Sequence, residues 1–278
     1  MDAITDPKQN IALPHGGNLT AAEARFGRPA AGWLDLSTGI NPFAYPVPEV
    51  PAAAWHRLPD AADQARLFTA ARRYYGATSG QPMAVASGSQ ALIQWLPRLV
   101  PAKTGAEQAA ILSPTYGEHA KCWADGGYTT EAIDELDAVA DRHSIVVLAN
   151  PNNPDGRRIE PAALLALADG LARRDALLVV DEAFVDVEPR LSVAAAAGRA
   201  GLVVLRSFGK FFGLAGLRLG IALGPPPFIA QLTDALGPWA VSGPGMLIAT
   251  QAMNDARWIV EMRQQLRRTA IRLDQLLD

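Results

Sequence analysis

Four lysines occur in 278 residues, and Lys210 alone stands among glycines and aromatics: Arg206-Ser207-Phe208-Gly209-Lys210 runs on into Phe211, Phe212 and Gly213. Crowding of that kind strips water from an ammonium, and the neutral amine that results can attack an aldehyde. Arg218 follows eight positions later, in Gly216-Leu217-Arg218-Leu219-Gly220. With Ser207 it offers a phosphate monoester a guanidinium and a hydroxyl. Asp181 closes the apolar run Leu177-Leu178-Val179-Val180. A carboxylate at the end of a buried strand can keep a pyridine nitrogen protonated, which makes the ring an electron sink. An amine, a phosphate grip and an acid for a ring nitrogen together suit pyridoxal 5'-phosphate (PLP). The plainer alternatives are a lysine capping a loop and an aspartate capping a helix; Glu182, directly behind Asp181, suits the second. The other lysines have less to offer: Lys8 falls in a polar arm, Lys103 in a turn and Lys121 on a solvated helix face.

Three further segments follow apolar runs. Ser87-Gly88-Ser89-Gln90 opens a helix and has the bare amides and hydroxyl of an anion cradle, although a glycine turn with a serine cap has the same sequence. Asn150-Pro151-Asn152-Asn153-Pro154-Asp155-Gly156 is a stiff turn that can hold an amide side chain over a site. Tyr116, in Ser113-Pro114-Thr115-Tyr116-Gly117, can stack on a flat ring or simply pack. Neither phosphate-loop signature of nucleotide-binding proteins is present. His15-Gly16-Gly17-Asn18 is superficially like a lipase oxyanion loop, but the chain has no Gly-x-Ser-x-Gly elbow. The histidines (His15, His56, His119, His143) are scattered, and a metal site is not expected. His15 remains a candidate donor to an anionic substrate.

These residues need a frame. The chain is 49% hydrophobic and 19% charged, ordinary globular composition with ample core. A net charge of -3 leaves no basic footprint for nucleic acid, and the lone Cys122 rules out an internal disulfide and fits a reducing compartment. The N-terminus lacks the parts of a signal peptide, so a cytoplasmic protein is expected. Asp60 to Tyr75 reads as a helix capped by Asp60 and ended by Gly76. Apolar runs at 82–86, 109–112, 144–149, 176–180, 202–205 and 219–223 then alternate with helical patterns at 89–100, 116–124 and 161–173. Continuous apolar strands separated by helices predict an α/β fold, a three-layer α/β/α sandwich around a mostly parallel sheet. From Ser242 to Leu277 the pattern is one long helix whose apolar stripe needs cover, from a partner subunit or from a further segment.

Taken together, the motifs resemble those of the fold-type I PLP-dependent enzymes, the aspartate aminotransferase superfamily. Within it they are similar to the branch of histidinol-phosphate aminotransferases and threonine-phosphate decarboxylases. The matching residues are His15 to Asn18, Leu34 to Pro42, Asn150 to Pro154, Asp181 to Phe184, Arg206 to Gly220 and Pro238 to Val241, so the likeness covers the chain from about residue 14 onward. The resemblance implies that Lys210 bonds to the cofactor and later moves a proton, and that Asp181 pairs with the pyridinium. It implies that Asn153 donates to the ring's phenolic oxygen, that Tyr116 stacks on the ring, and that Ser89, Gln90, Ser207 and Arg218 hold the phosphate. His15, Gly17 and Asn41 would face the substrate. A phosphorylated amino acid as substrate and a homodimer are implied as well. So is a division into an arm with part of a small domain (1–45), a large PLP-binding domain (46–240), and a long helix leading to an incomplete small domain (241–278). The decarboxylase branch carries phenylalanine at Phe184, where the aminotransferases have tyrosine, so decarboxylation of L-threonine O-3-phosphate to (R)-1-amino-2-propanol O-2-phosphate in cobalamin biosynthesis is expected. The alternatives are a histidinol-phosphate-type aminotransferase and a PLP- or partner-binding scaffold without turnover. Leu58 departs from the family, whose tyrosine there reaches the neighbouring subunit's cofactor phosphate. The small-domain arginine that grips the substrate carboxylate in relatives has no match in the sequence.

Overall fold

The computed structural model describes residues 15–100, 102 and 107–277. Lys8, Lys103 and the first part of the expected arm lie outside them. The chain divides into a short unit, Met1–Gly39, and a large one, Ile40–Asp278.

The large unit is built on a seven-stranded sheet: β1 (Met83–Ala86), β2 (Gln108–Leu112), β3 (Thr129–Ile133), β4 (His143–Ala149), β5 (Leu177–Asp181), β6 (Leu202–Ser207) and β7 (Gly220–Leu223), in the order β1-β7-β6-β5-β4-β2-β3. β7 runs antiparallel to both of its neighbours, and every other pair is parallel. The exception has a local cause. The short helix Phe208–Phe211 and a 3-10 turn, Ala215–Leu217, lead from β6 into β7 without a crossover long enough to return the chain to the same end of the sheet.

Both faces of the sheet are covered, which is why its strands read as unbroken apolar runs. Val85, Val146, Leu148, Leu178, Val180, Val204 and Ile221 enter one buried cluster, with Leu67 and Ala71 of the helix Ala61–Tyr75 and Leu164 of the helix Pro161–Ala172. Ala84, Ile145, Val147, Val179, Val203 and Ala222 alternate into the other, against Leu92 and Leu96 of the helix Ser89–Leu99, Trp123 and Leu232. Each fully buried Val or Leu contributes about 1.5–3 kcal/mol of apolar transfer, so the period-two alternation fixes the register strongly.

Asp60 caps its helix as expected: its Oδ1 accepts the Asp63 N–H at 2.9 Å, and Gly76 ends the helix with φ +67. One strand was not expected, and two expectations are corrected. Thr129–Ile133 forms a strand although its sequence is polar, because β3 lies at the sheet edge and is partly exposed. The helix expected from Tyr116 begins at Glu118, leaving Tyr116 in the turn after β2. The single long helix expected over 242–277 is two, Gly243–Asn254 and Ala256–Leu277. Asp255 breaks the run, and its carboxylate accepts the Trp258 N–H at 3.0 Å as a cap for the second. That second helix buries Ile259 and Met262 and leaves Ile271, Leu273, Leu276 and Leu277 exposed. Among the described residues no helix is long and apolar enough to cross a membrane, and no cluster of ligating side chains could hold a metal.

Candidate active site

The C-terminal ends of β5 and β6 bring Asp181 and Ser207 to one edge of the sheet, and Lys210 lies in the short helix that follows β6. Asp181 is 5% exposed. Its Oδ1 accepts the Ala183 N–H at 3.0 Å, and its Oδ2 lies 3.1 Å from Nε2 of His119. A carboxylate only accepts, so the bond assigns the imidazole proton to Nε2. His119 is fully buried, and its Nδ1 has no hydrogen-bond partner among the described residues. No local pattern marks this pair, because its members stand 62 residues apart. The one clue was His119's position three residues after Tyr116, whose ring it meets edge-on at 6.0 Å between centroids.

Burial pushes the Lys210 amine below its usual range; the positive charge of Arg218 acts in the same direction and the carboxylate of Asp181 against it. Its Nζ stands 5.3 Å from the centroid of the Phe184 ring. The segment around it is clamped from residues 41–45. The Asn41 N–H donates to the Lys210 carbonyl at 3.0 Å, the Asn41 side-chain amide to the Phe211 carbonyl at 2.8 Å, and the Tyr45 N–H to the Phe212 carbonyl at 2.8 Å. A Cβ on Gly213 would come within 2.7 Å of the Ala44 Cα, so glycine is what lets the two segments approach. Asn41 is 8% exposed, and its Oδ1 accepts the Phe43 N–H at 2.9 Å.

A cradle faces this edge. Gly88 (φ +84) precedes the helix Ser89–Leu99 and gives it no side-chain cap; the Ala91 N–H turns back to the Gly88 carbonyl at 3.2 Å, and the Ser89 and Gln90 N–H groups can serve an anion. A Cβ on Gly88 would lie 2.6 Å from Nη2 of Arg218, and one on Gly220 would lie 2.3 Å from the Ser89 nitrogen. Bare backbone at both places brings the guanidinium, the helix start and the beginning of β7 together. Ser207, the residue before the lysine helix, pairs with Gly220 across the sheet. The side chain of Gln90 is committed elsewhere: its Oε1 accepts from the Tyr116 hydroxyl at 3.0 Å and its Nε2 donates to Glu118 at 2.8 Å. Gln90 therefore offers a phosphate its backbone N–H rather than its amide.

Asn153 is exposed at the tip of its turn. The turn is stapled to the loop of Tyr116, because Asn152 accepts from the Thr115 hydroxyl at 2.8 Å and donates to the Pro114 carbonyl at 2.8 Å. His15 and Gly17 belong to the short unit, where the Gly17 N–H donates to Ser37 Oγ at 2.8 Å. Behind the site lies a feature the sequence did not announce. Buried Arg206 bonds Glu182 at 2.8 Å, pairs with Asp186, and stacks at 4.2 Å over the ring of Tyr75.

These residues fit pyridoxal phosphate. A guanidinium, two serine hydroxyls and the N–H groups of a helix start are the donor set of a phosphate. A buried, oriented carboxylate and a desolvated amine serve the two ends of its ring. Gly88→Ala tests the cradle. An added methyl must displace Arg218, and alanine at positive φ is strained by roughly 1–2 kcal/mol. The PLP dissociation constant, read by titration of the apo-protein, is expected to rise about tenfold or more; an unchanged constant would remove Arg218 from the phosphate site.

Residues 33–278 match the family model "Aminotransferase class I and II". A threonine-phosphate decarboxylase of Sinorhizobium sp is 50% identical over 244 residues, which cover 87% of this chain and 72% of that one. A second threonine-phosphate decarboxylase, from Pseudomonas aeruginosa, is 46% identical over 267 residues, 95% of this chain and 78% of its own. Among solved structures, an L-threonine-O-3-phosphate decarboxylase from Porphyromonas gingivalis superimposes with a TM-score of 0.67 at 20% identity, over 78% of this chain and 69% of that one, a likeness of fold.

Proposed function

Because this chain belongs to the class I and II aminotransferase family, we propose that it is a PLP-dependent decarboxylase that converts L-threonine O-3-phosphate to (R)-1-amino-2-propanol O-2-phosphate for cobalamin biosynthesis. The observation that carries the choice of reaction is the 50% and 46% identity to two threonine-phosphate decarboxylases over most of the chain. The geometry supports it, since an amine, an oriented acid and a phosphate cradle share one sheet edge.

Pyridoxal phosphate, when bound, supplies an aldehyde for an amine and a protonated ring that takes up the electron pair of a breaking Cα bond. The residues of this chain do the rest. Ser89, Ser207, Arg218 and the N–H of Gln90 hold the phosphate. Asp181, oriented by Ala183 and His119, would hold a proton at the ring nitrogen. Tyr116 would cover one face of the ring. Asn153 donates to the phenolic oxygen, a task that Phe184, without a hydroxyl, leaves to it. Lys210 presents the amine. Once CO2 has left, Lys210 Nζ would carry the proton that completes Cα. Asn41 fixes the lysine turn, and Asn41, His15 and Gly17 are proposed as substrate contacts.

The cytoplasm as location, a homodimer as the working species, and the division at residues 45 and 240 into arm, large domain and long helix belong to the same proposal. Sedimentation of the PLP-loaded protein at twice the mass of the chain is expected; a loaded monomer contradicts the dimer. Incubation with L-threonine O-3-phosphate tests the reaction. One CO2 is expected for each aminopropanol phosphate formed, with no requirement for 2-oxoglutarate. Turnover that needs a keto acid would make the protein an aminotransferase.

A further inference from the structure

The aromatic cover of the site rests on a buried acid that touches neither cofactor nor substrate in the scheme above. Tyr116 sits in a turn and is 41% exposed, so packing alone does not fix its ring. Two contacts do. His119 meets the ring edge-on, and the phenol hydroxyl donates to Gln90 Oε1 at 3.0 Å. A glutamine amide has two faces of similar shape, one accepting and one donating, and the phenol donates only if it meets the accepting one. The choice is made at the other end. Gln90 Nε2 donates at 2.8 Å to Oε2 of Glu118, and a carboxylate oxygen can take only the donating face. Glu118 is 7% exposed, and the same Oε2 also accepts from the Cys122 thiol at 3.8 Å. Burial first, then the charges of Glu118 and Asp181, push the Tyr116 phenol upward, which keeps it protonated as the donor this chain of bonds needs.

We infer that Glu118 is a positioning residue of the decarboxylase: through Gln90 it fixes the direction of the bond to Tyr116, and so the plane in which the tyrosine ring lies over the cofactor. The inference rests on the PLP-dependent reading above. Glu118→Gln removes the directing charge and keeps the shape. The Gln90 amide can then bond in either sense, and in one of them it presents its NH2 to the phenol.

The test uses the PLP-loaded enzyme and reads two properties besides turnover: the PLP dissociation constant and the visible circular dichroism of the bound cofactor, which reports how the ring is held. Glu118→Gln, Tyr116→Phe and the double variant are compared. Glu118→Gln is expected to raise the dissociation constant about three- to tenfold, the worth of one neutral hydrogen bond, and to diminish the dichroic band. In the Tyr116→Phe background, where there is no hydroxyl to orient, the same substitution is expected to change neither quantity. Equal effects in both backgrounds, or a lowered melting temperature with affinity and dichroism unchanged, would overturn the inference and leave Glu118 a structural acid. Gln90→Met removes both bonds and gives the same comparison if Glu118→Gln fails to fold. A wild-type protein without a cofactor band would overturn the underlying reading, and this inference with it, before any variant is made.

Discussion

Lys210→Ala is expected to abolish the absorbance of lysine-bound cofactor and to lower decarboxylation by roughly four orders of magnitude, since it removes both the amine and the proton carrier. The melting temperature should change little, because the side chain is half-buried and the turn around it is held by main-chain and Asn41 bonds. The same lysine predicts a pH dependence. Its folded pKa lies below 10.5, so the neutral amine dominates at a lower pH than in an unfolded chain. Attachment of PLP to the apo-protein should therefore accelerate with rising pH and level off before 10.5. The linkage to stability has the same sign: between the folded and unfolded pKa the unfolded chain binds more protons, so this group's contribution to stability grows as pH rises through that window. Attachment that keeps accelerating beyond 10.5 would mean that Lys210 is hydrated like any surface lysine.

Arg206→Met carries the second large effect, on stability. It leaves Glu182 and Asp186 buried without their cation, and breaking a buried ion pair from one side costs about 3–5 kcal/mol, a large part of a domain's total. Denaturant unfolding should show that loss. Burial already pushes Glu182 above the usual carboxylate range, and Arg206 leads the groups that pull it back. Without Arg206 the folded pKa stands further above the unfolded one. The protonated carboxyl is then the stable buried form, and the variant should recover stability as pH falls toward 4.5 and lose it as pH rises. Adding Glu182→Gln should restore part of the loss, since a neutral amide is less costly to bury than an unpaired charge. A loss below about 1 kcal/mol would show that water reaches the cluster.

The strands were legible because burial on both faces leaves no polar alternation to misread; Leu177–Val180 and Leu202–Leu205 announce themselves. The edge strand β3 was not, because Thr129-Thr130-Glu131 faces partly outward and carries no apolar run. Asp60 and Gly76 marked their helix through local chemistry, whereas Asp255 is an ordinary acid in sequence and becomes a helix break through its bond to Trp258. At the site, the groups that meet the cofactor in the proposed scheme stand beside glycines, prolines or strand ends and could be named from the chain. The residues that orient them could not. His119 beneath Asp181, Glu118 behind Gln90 and Asn41 at the lysine turn act across 62, 28 and 170 positions, and no spacing rule spans such distances. The motif that carries Asn41 was visible, but the Phe211 carbonyl that its amide bonds was not.

The central claim is that one amine, that of Lys210, bonds the cofactor. The protein loaded with PLP, reduced with borohydride and digested, locates that bond directly by peptide mass. A single pyridoxyl group on the peptide that carries Lys210 is the predicted result. A label on Lys8, Lys103 or Lys121 instead, or a reduced protein that carries none, would contradict it.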